Sequence, residues 1–148
     1  MKRLILPRFS RVNGRQLPPL TSPAEVGEQL AGLAAFRNPH AALLQTAIWR
    51  PAQPDDFGVM LWSVGNPDYG QSHDPGEVSP TMFVCGPTLR DIQAFVAAYI
   101  ACFDLGGGNC PLFPVFRHQV HVADVSFNRR LWTPGQSREI DPETGRAS

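Results

Sequence analysis

Lysine is almost missing from this chain of 148 residues: Lys2 is the only one, and arginine supplies the remaining cations. That bias reads as the codon usage of a GC-rich bacterial genome, and a mobile element is the expected setting for so small a domain. Long apolar runs are missing too. The longest stop well short of the about 20 residues a spanning helix needs, so no membrane association is expected. Met1 to Arg8 opens like a secretory leader, but its apolar run is Leu4-Ile5-Leu6 and an arginine follows Pro7, so a cytoplasmic location is expected. Cysteines number three, Cys85, Cys102 and Cys110. That is too few, and odd, for a disulfide framework, and free buried thiols are expected.

Net charge is also absent, with 13 basic residues against 13 acidic ones. This argues against a dedicated nucleic-acid binder, whose footprint is a strong basic excess. The balance is uneven, however. Residues 1–15 carry Lys2, Arg3, Arg8, Arg11 and Arg15 without an acid, whereas residues 16–113 hold nine acids against three arginines. The basic segment is expected to fold back on the acidic middle, and contact with nucleic acid is the alternative.

What the chain does contain is a legible series of elements, with 43% apolar residues, enough for one packed domain. Residues 3–12 alternate apolar and basic side chains before Asn13-Gly14, a tight-turn pair, which predicts a short hairpin returning near 15–18. Ser22-Pro23-Ala24-Glu25 combines a helix cap, a proline at the first helical position and an acid three residues on, predicting a helix over about 23–37. Asn38-Pro39 then reads as its stop. Residues 42–50 are read as a strand that pairs with a second one at 57–64. Gly65 to Pro80 is a long polar loop, followed by a strand at 81–85. Ile92, Phe95, Val96, Tyr99, Ile100 and Phe103 recur at helical spacing, predicting a second helix over about 88–104. Strands at 115–117, 120–127 and 130–132 follow. The fold class expected is α+β: a mainly antiparallel sheet of about five to seven strands with the two helices packed on one face. The expected domain is 1–134, with 135–148 a polar, flexible tail.

Chemistry-bearing residues gather in a few places. Asp68, Tyr69, His73, Asp74 and Glu77 share the long loop, and loops on a rigid scaffold commonly carry binding residues. Arg117, Arg129 and Arg130 sit with Phe127 and Trp132 on the last strands, where basic and aromatic side chains could hold a partner. Cys102, Cys110, His118 and His121 are four ligand-type residues, but their spacing is poor for a zinc knuckle and no metal is expected. Gly106-Gly107-Gly108 closes a helix rather than opening one, the wrong dipole end for phosphate, and no cofactor is expected. Cys85 precedes a helix N-terminus without a base nearby in sequence.

The order strand, helix, three strands, helix, strand over roughly 1–127 resembles that of the acetyl-CoA-dependent N-acetyltransferases. That resemblance implies an acyl-CoA cleft near Cys85 to Thr88. At the matching turn this chain has Gly86-Pro87-Thr88-Leu89 instead of a double-glycine pattern, and Pro87 lacks an amide proton, so no site residue is carried across. The leading expectation is therefore a small non-enzymatic binding or regulatory module that recognises a protein partner. A small acyl-CoA-dependent transferase and a nucleic-acid-binding accessory protein are the alternatives.

Overall fold

The computed structural model describes residues 11–12, 15–34, 38–72, 78–135 and 137–148. A two-stranded antiparallel ribbon comes first, β1 (Arg11–Val12) with β2 (Arg15–Gln16). The Asn13-Gly14 turn and the alternating segment before residue 11 lie outside the described residues. Ser22 accepts the amide of Glu25 through Oγ and opens α1 (Pro23–Ala34), which buries Val26 and Leu30 at helical spacing.

The largest correction falls on residues 42–50. They are not a strand but part of a helix, α2 (Pro39–Trp49). Asn38-Pro39, read as a stop, is also a start: the Asn38 side chain accepts from the amides of His40 and Ala41, and Pro39 takes the first helical position. Ala41, Leu44, Ala47 and Ile48 are buried along one side. Thr46, Ile48 and Trp49 lend the segment a strand-like composition that packing overrides. The helix ends at Arg50, which adopts extended geometry before Pro51. Among the described residues three α-helices therefore stand where two were expected, and the element order that resembled an acetyltransferase is not the observed one.

The remaining elements are β3 (Phe57–Leu61), β4 (Met82–Gly86), α3 (Leu89–Cys102), β5 (Phe113–Arg117), β6 (Val120–Val125), β7 (Leu131–Trp132) and β8 (Glu139–Ile140). Six strands form one sheet in the order β4-β3-β5-β6-β7-β8, with every pairing antiparallel. The expected α+β class with a mainly antiparallel sheet is what the chain forms. Register aligns Val59 with Val84 on one side and with Val115 on the other. Val115 in turn aligns with Ala123, and all four are at most 1% exposed. α3 packs against β3 and β4, closely enough that a side-chain carbon at Gly86 would press on Asp91 and Phe95. α2 packs on α3 and β4, and α1 rests on α2. The outer edge of β4 is closed by backbone and side-chain bonds between Thr21 and Thr81 and by Arg50 Nη1 donating to the Cys85 carbonyl, which removes it as a template for another strand.

Within the stretch expected as a polar tail, β8 pairs with β7, and Ile140 is 7% exposed and bridges to Ala147. No helix among the described residues is long and apolar enough to cross a membrane. Because Ile140 closes the core beside Leu131, replacing it with alanine is expected to lower unfolding stability by about 2 kcal/mol in urea titrations. A tail irrelevant to the core would show no change.

Candidate functional site

The long loop leaves β3 and returns to β4, and its base is closed by buried hydroxyls. Ser63 bonds to Ser79, Ser79 bonds to Tyr99 Oη at 2.6 Å, and Tyr99 Oη donates to the Pro80 carbonyl at 2.6 Å. Only the last acceptor lacks a proton, so the direction of the others follows: Ser63 donates to Ser79, and Ser79 donates to Tyr99. Burial pushes the Tyr99 phenol pKa up, which keeps it a donor.

The first half of the loop is pinned separately. Asn66 Oδ1 accepts from the Asp68 amide and caps a short turn, Pro67–Tyr69, that ends at left-handed Gly70. Gln71 Oε1 accepts from the Asn66 amide and from Asn109 Nδ2, and Asn109 Nδ2 also donates to the Val64 carbonyl. Gly108 has to be glycine here, since a side-chain carbon would collide with Asn66 Nδ2. The glycine run after α3 therefore serves as a flat seat for the loop.

This arrangement brings some of the sequence candidates to one end of the sheet. Asp68 and Tyr69 stand on the pinned turn, with Tyr69 81% exposed. The Cβ position of Gly107 lies 3.8 Å from the ring of Phe127, itself 38% exposed, so the β6–β7 turn adjoins the same seat. Arg129 and Arg130 belong to that turn. Arg129 adopts φ 65°, and its carbonyl accepts from Gln93 Nε2. His73, Asp74 and Glu77 lie outside the described residues.

Arg117 lies at the opposite end, stacked 4.5 Å over the Phe57 ring and donating to the Asp55 carbonyl. A cleft of about 310 Å³ opens there, lined by Gly58, Phe83, Cys85, Phe116 and the 118–119 turn, with Asp56 in its wall. Arg50 grips Asp56 with two nitrogens, at 2.6 and 3.2 Å. Burial pushes the Asp56 carboxyl upward, but the Arg50 bonds and the Gln53 amide outweigh it and hold the pKa below its ordinary value. Sequence reasoning misses Arg50, Asp56 and Gln119 because Arg50 and Gln119 gain their meaning from residues distant in the chain, and Asp56 gains its own from Arg50.

The candidate metal ligands are not brought together. Cys102 is buried on α3, and His118 Nε2 sits 3.2 Å from Asp55 Oδ1. His121 Nε2 lies 2.8 Å from buried Asp124. An extra residue at Val122 shifts the β5–β6 register and puts His121 and Asp124, three apart, on one face. Among the described residues no three His, Cys, Asp or Glu side chains form a metal-binding group. Cys85 sits just before a helix N-terminus, a position that favours a thiolate, yet burial, with Asp56 adding to it, pushes its pKa up to about 12. The α3 N-terminus is occupied by its own Asp91, which accepts from the Thr88 amide while Thr88 Oγ1 accepts from the Asp91 amide. In comparisons with protein-family models, curated proteins and solved structures, the chain matches none.

Two predictions test this geometry. Tyr99→Phe removes the central hydroxyl and leaves the Pro80 carbonyl and Ser79 short of partners, so a loss of about 2 kcal/mol in urea unfolding is expected. A loss within experimental error would mean that the relay is not what closes the loop. Asp56 has a folded-state pKa below the 3.8 of the unfolded chain, so its contribution is complete above that pH and fades as acid protonates the folded carboxylate. Asp56→Asn should cost about 3 kcal/mol at pH 7 and flatten the acid limb of the stability profile below pH 3.8. An unchanged limb would rule the pair out as its source.

Proposed function

We propose that this chain is a small non-enzymatic binding module that docks on a protein partner through the end of the sheet bearing Tyr69. The observation that carries the reading is an aromatic side chain left 81% exposed on a turn whose backbone is held by Asn66, Gln71 and Asn109. A large exposed ring on a mobile loop would lose much of its contact energy to ordering on binding. On a pinned turn that cost is already met. Phe127 borders the glycine run that seats the turn, Arg129 and Arg130 share its hairpin, and aromatic residues with arginine are the composition of interface hot spots. The raised thiol pKa values, about 12 at Cys85 and Cys110 through burial and about 11 at Cys102 through burial, favour binding over nucleophilic chemistry.

The test uses the full chain immobilised in a lysate of its source organism, followed by affinity measurement on the partner recovered. Tyr69→Ala should weaken binding by about tenfold or more. Replacing residues 66–78 by a Gly/Ser linker should abolish it, with the unfolding transition of the point variant unchanged. A partner held equally well by the wild type and both variants would end the proposal.

A further inference from the structure

The cleft at the other end of the sheet has no part in that reading. We propose that it binds a small, uncharged aromatic heterocycle that carries an N–H donor, and that Gln119 is the acceptor. Its size, about 310 Å³, suits one or two fused rings. Phe83 and Phe116 face it with ring centroids 6.3 Å apart and planes tilted by 50°. Gly58 is aligned with Phe116 on one side and with Cys85 on the other, and the lack of a side chain there gives the Phe83 ring its place, since a Cβ would collide with it. A flat ring can meet these two in the offset and tilted geometries that aromatic quadrupoles favour.

The charges around the cleft select against an ionic ligand. Arg50 is held by Asp56 and the Cys85 carbonyl. Arg117 is held by the Phe57 ring and the Asp55 carbonyl, and the Asp55 carboxylate faces His118. A charged ligand would have to break one of these pairs, and a neutral one need not. The polar group left over is itself neutral. Gln119 Oε1 is shut away from water and has no hydrogen-bond partner. A buried acceptor in that state is costly, and a ligand that brings a donor removes the cost. The two turn residues also hold left-handed backbone, φ 53° at His118 and 65° at Gln119. Asn-Gly would sit there without strain, so the fold keeps two functional side chains at the rim at a cost in backbone energy. In the proposed complex the Gln119 amide turns toward the ring in the cleft that the residue lines.

The experiment titrates the ¹⁵N-labelled full chain with indole and, separately, with 1-methylindole, which keeps the ring and loses the donor. Indole should shift the amide signals of Gly58, Phe83, Cys85 and Phe116 and the side-chain amide of Gln119. The methylated probe should bind about tenfold more weakly. In Gln119→Leu, checked for folding by its amide spectrum, the two probes should bind alike, and Gln119→Ala gives the same comparison if leucine disturbs the turn. Three results would overturn the proposal: no shifts at these residues with either probe up to about 10 mM, equal affinities in the wild type, or discrimination that survives in both Gln119 variants. Tyr69→Ala should leave indole binding unchanged, which separates this site from the protein-docking end.

Discussion

The hydroxyl relay from Ser63 through Ser79 and Tyr99 to the Pro80 carbonyl ties the long loop between β3 and β4 to the core. Tyr99 is fully buried on α3 and contacts the rings of Phe103 and Phe113. Its hydroxyl is thus fixed by the packing that holds the helix to the sheet. Ser63 and Ser79 stand at the two ends of the loop, and their bond to each other and to Tyr99 makes the loop base part of the interior. A buried polar chain of this kind is favourable only when each member is satisfied, and here each hydroxyl donates once toward a defined acceptor. The start of the loop has a second anchor of its own, because Val64 is joined to Asn109 by two bonds, from its amide and to its carbonyl.

From that anchor the two ends of the sheet diverge in character. Where β3 and β6 end, polar side chains are spent on holding backbone, and aromatic surface is left outside. Asn66, Gln71 and Asn109 satisfy one another and the chain, while Tyr69 and Phe127 face solvent. Where β3 and β6 begin, the reverse holds. Aromatic rings line a recess, and charges are matched pairwise around it. A protruding ring suits a partner larger than the protein's own recess, whereas a lined recess suits something that enters it. The arginines read from sequence as one group divide along this line, with Arg129 and Arg130 at the first end and Arg117 at the second.

Local patterns make much of this architecture legible in sequence, and the failures have a common form. α3 is plain because its apolar residues recur at helical spacing and Thr88 and Asp91 form its capping box. The meander is plain because short apolar runs alternate with turn residues. α2 is misread because Asn38-Pro39 can both end one helix and begin the next, and nothing local says that two helices meet there. The length of the 65–80 loop is plain in the sequence, but its pinning is not, since Asn109, Gly108 and Tyr99 lie far along the chain. The cleft is invisible for the same reason. It is assembled from β3, β4, the β5–β6 turn and the segment after α2, and its least ordinary member, Gln119, differs from any surface glutamine only in what surrounds it.

Backbone strain points the same way as the side chains. The non-glycine residues described with left-handed backbone are Asp104, His118, Gln119 and Arg129. Asp104 follows the end of α3, where a left-handed residue commonly closes a helix. The other three are in the two hairpin turns that border the candidate surfaces. Glycine would adopt these conformations without the steric cost, and the chain uses glycine freely elsewhere, including Gly70 and Gly135 at positive φ. Retaining histidine, glutamine and arginine at such positions trades conformational ease for side-chain chemistry. That trade is understandable at turns that must present a group to something outside the fold, and it has no structural return at turns that merely reverse the chain.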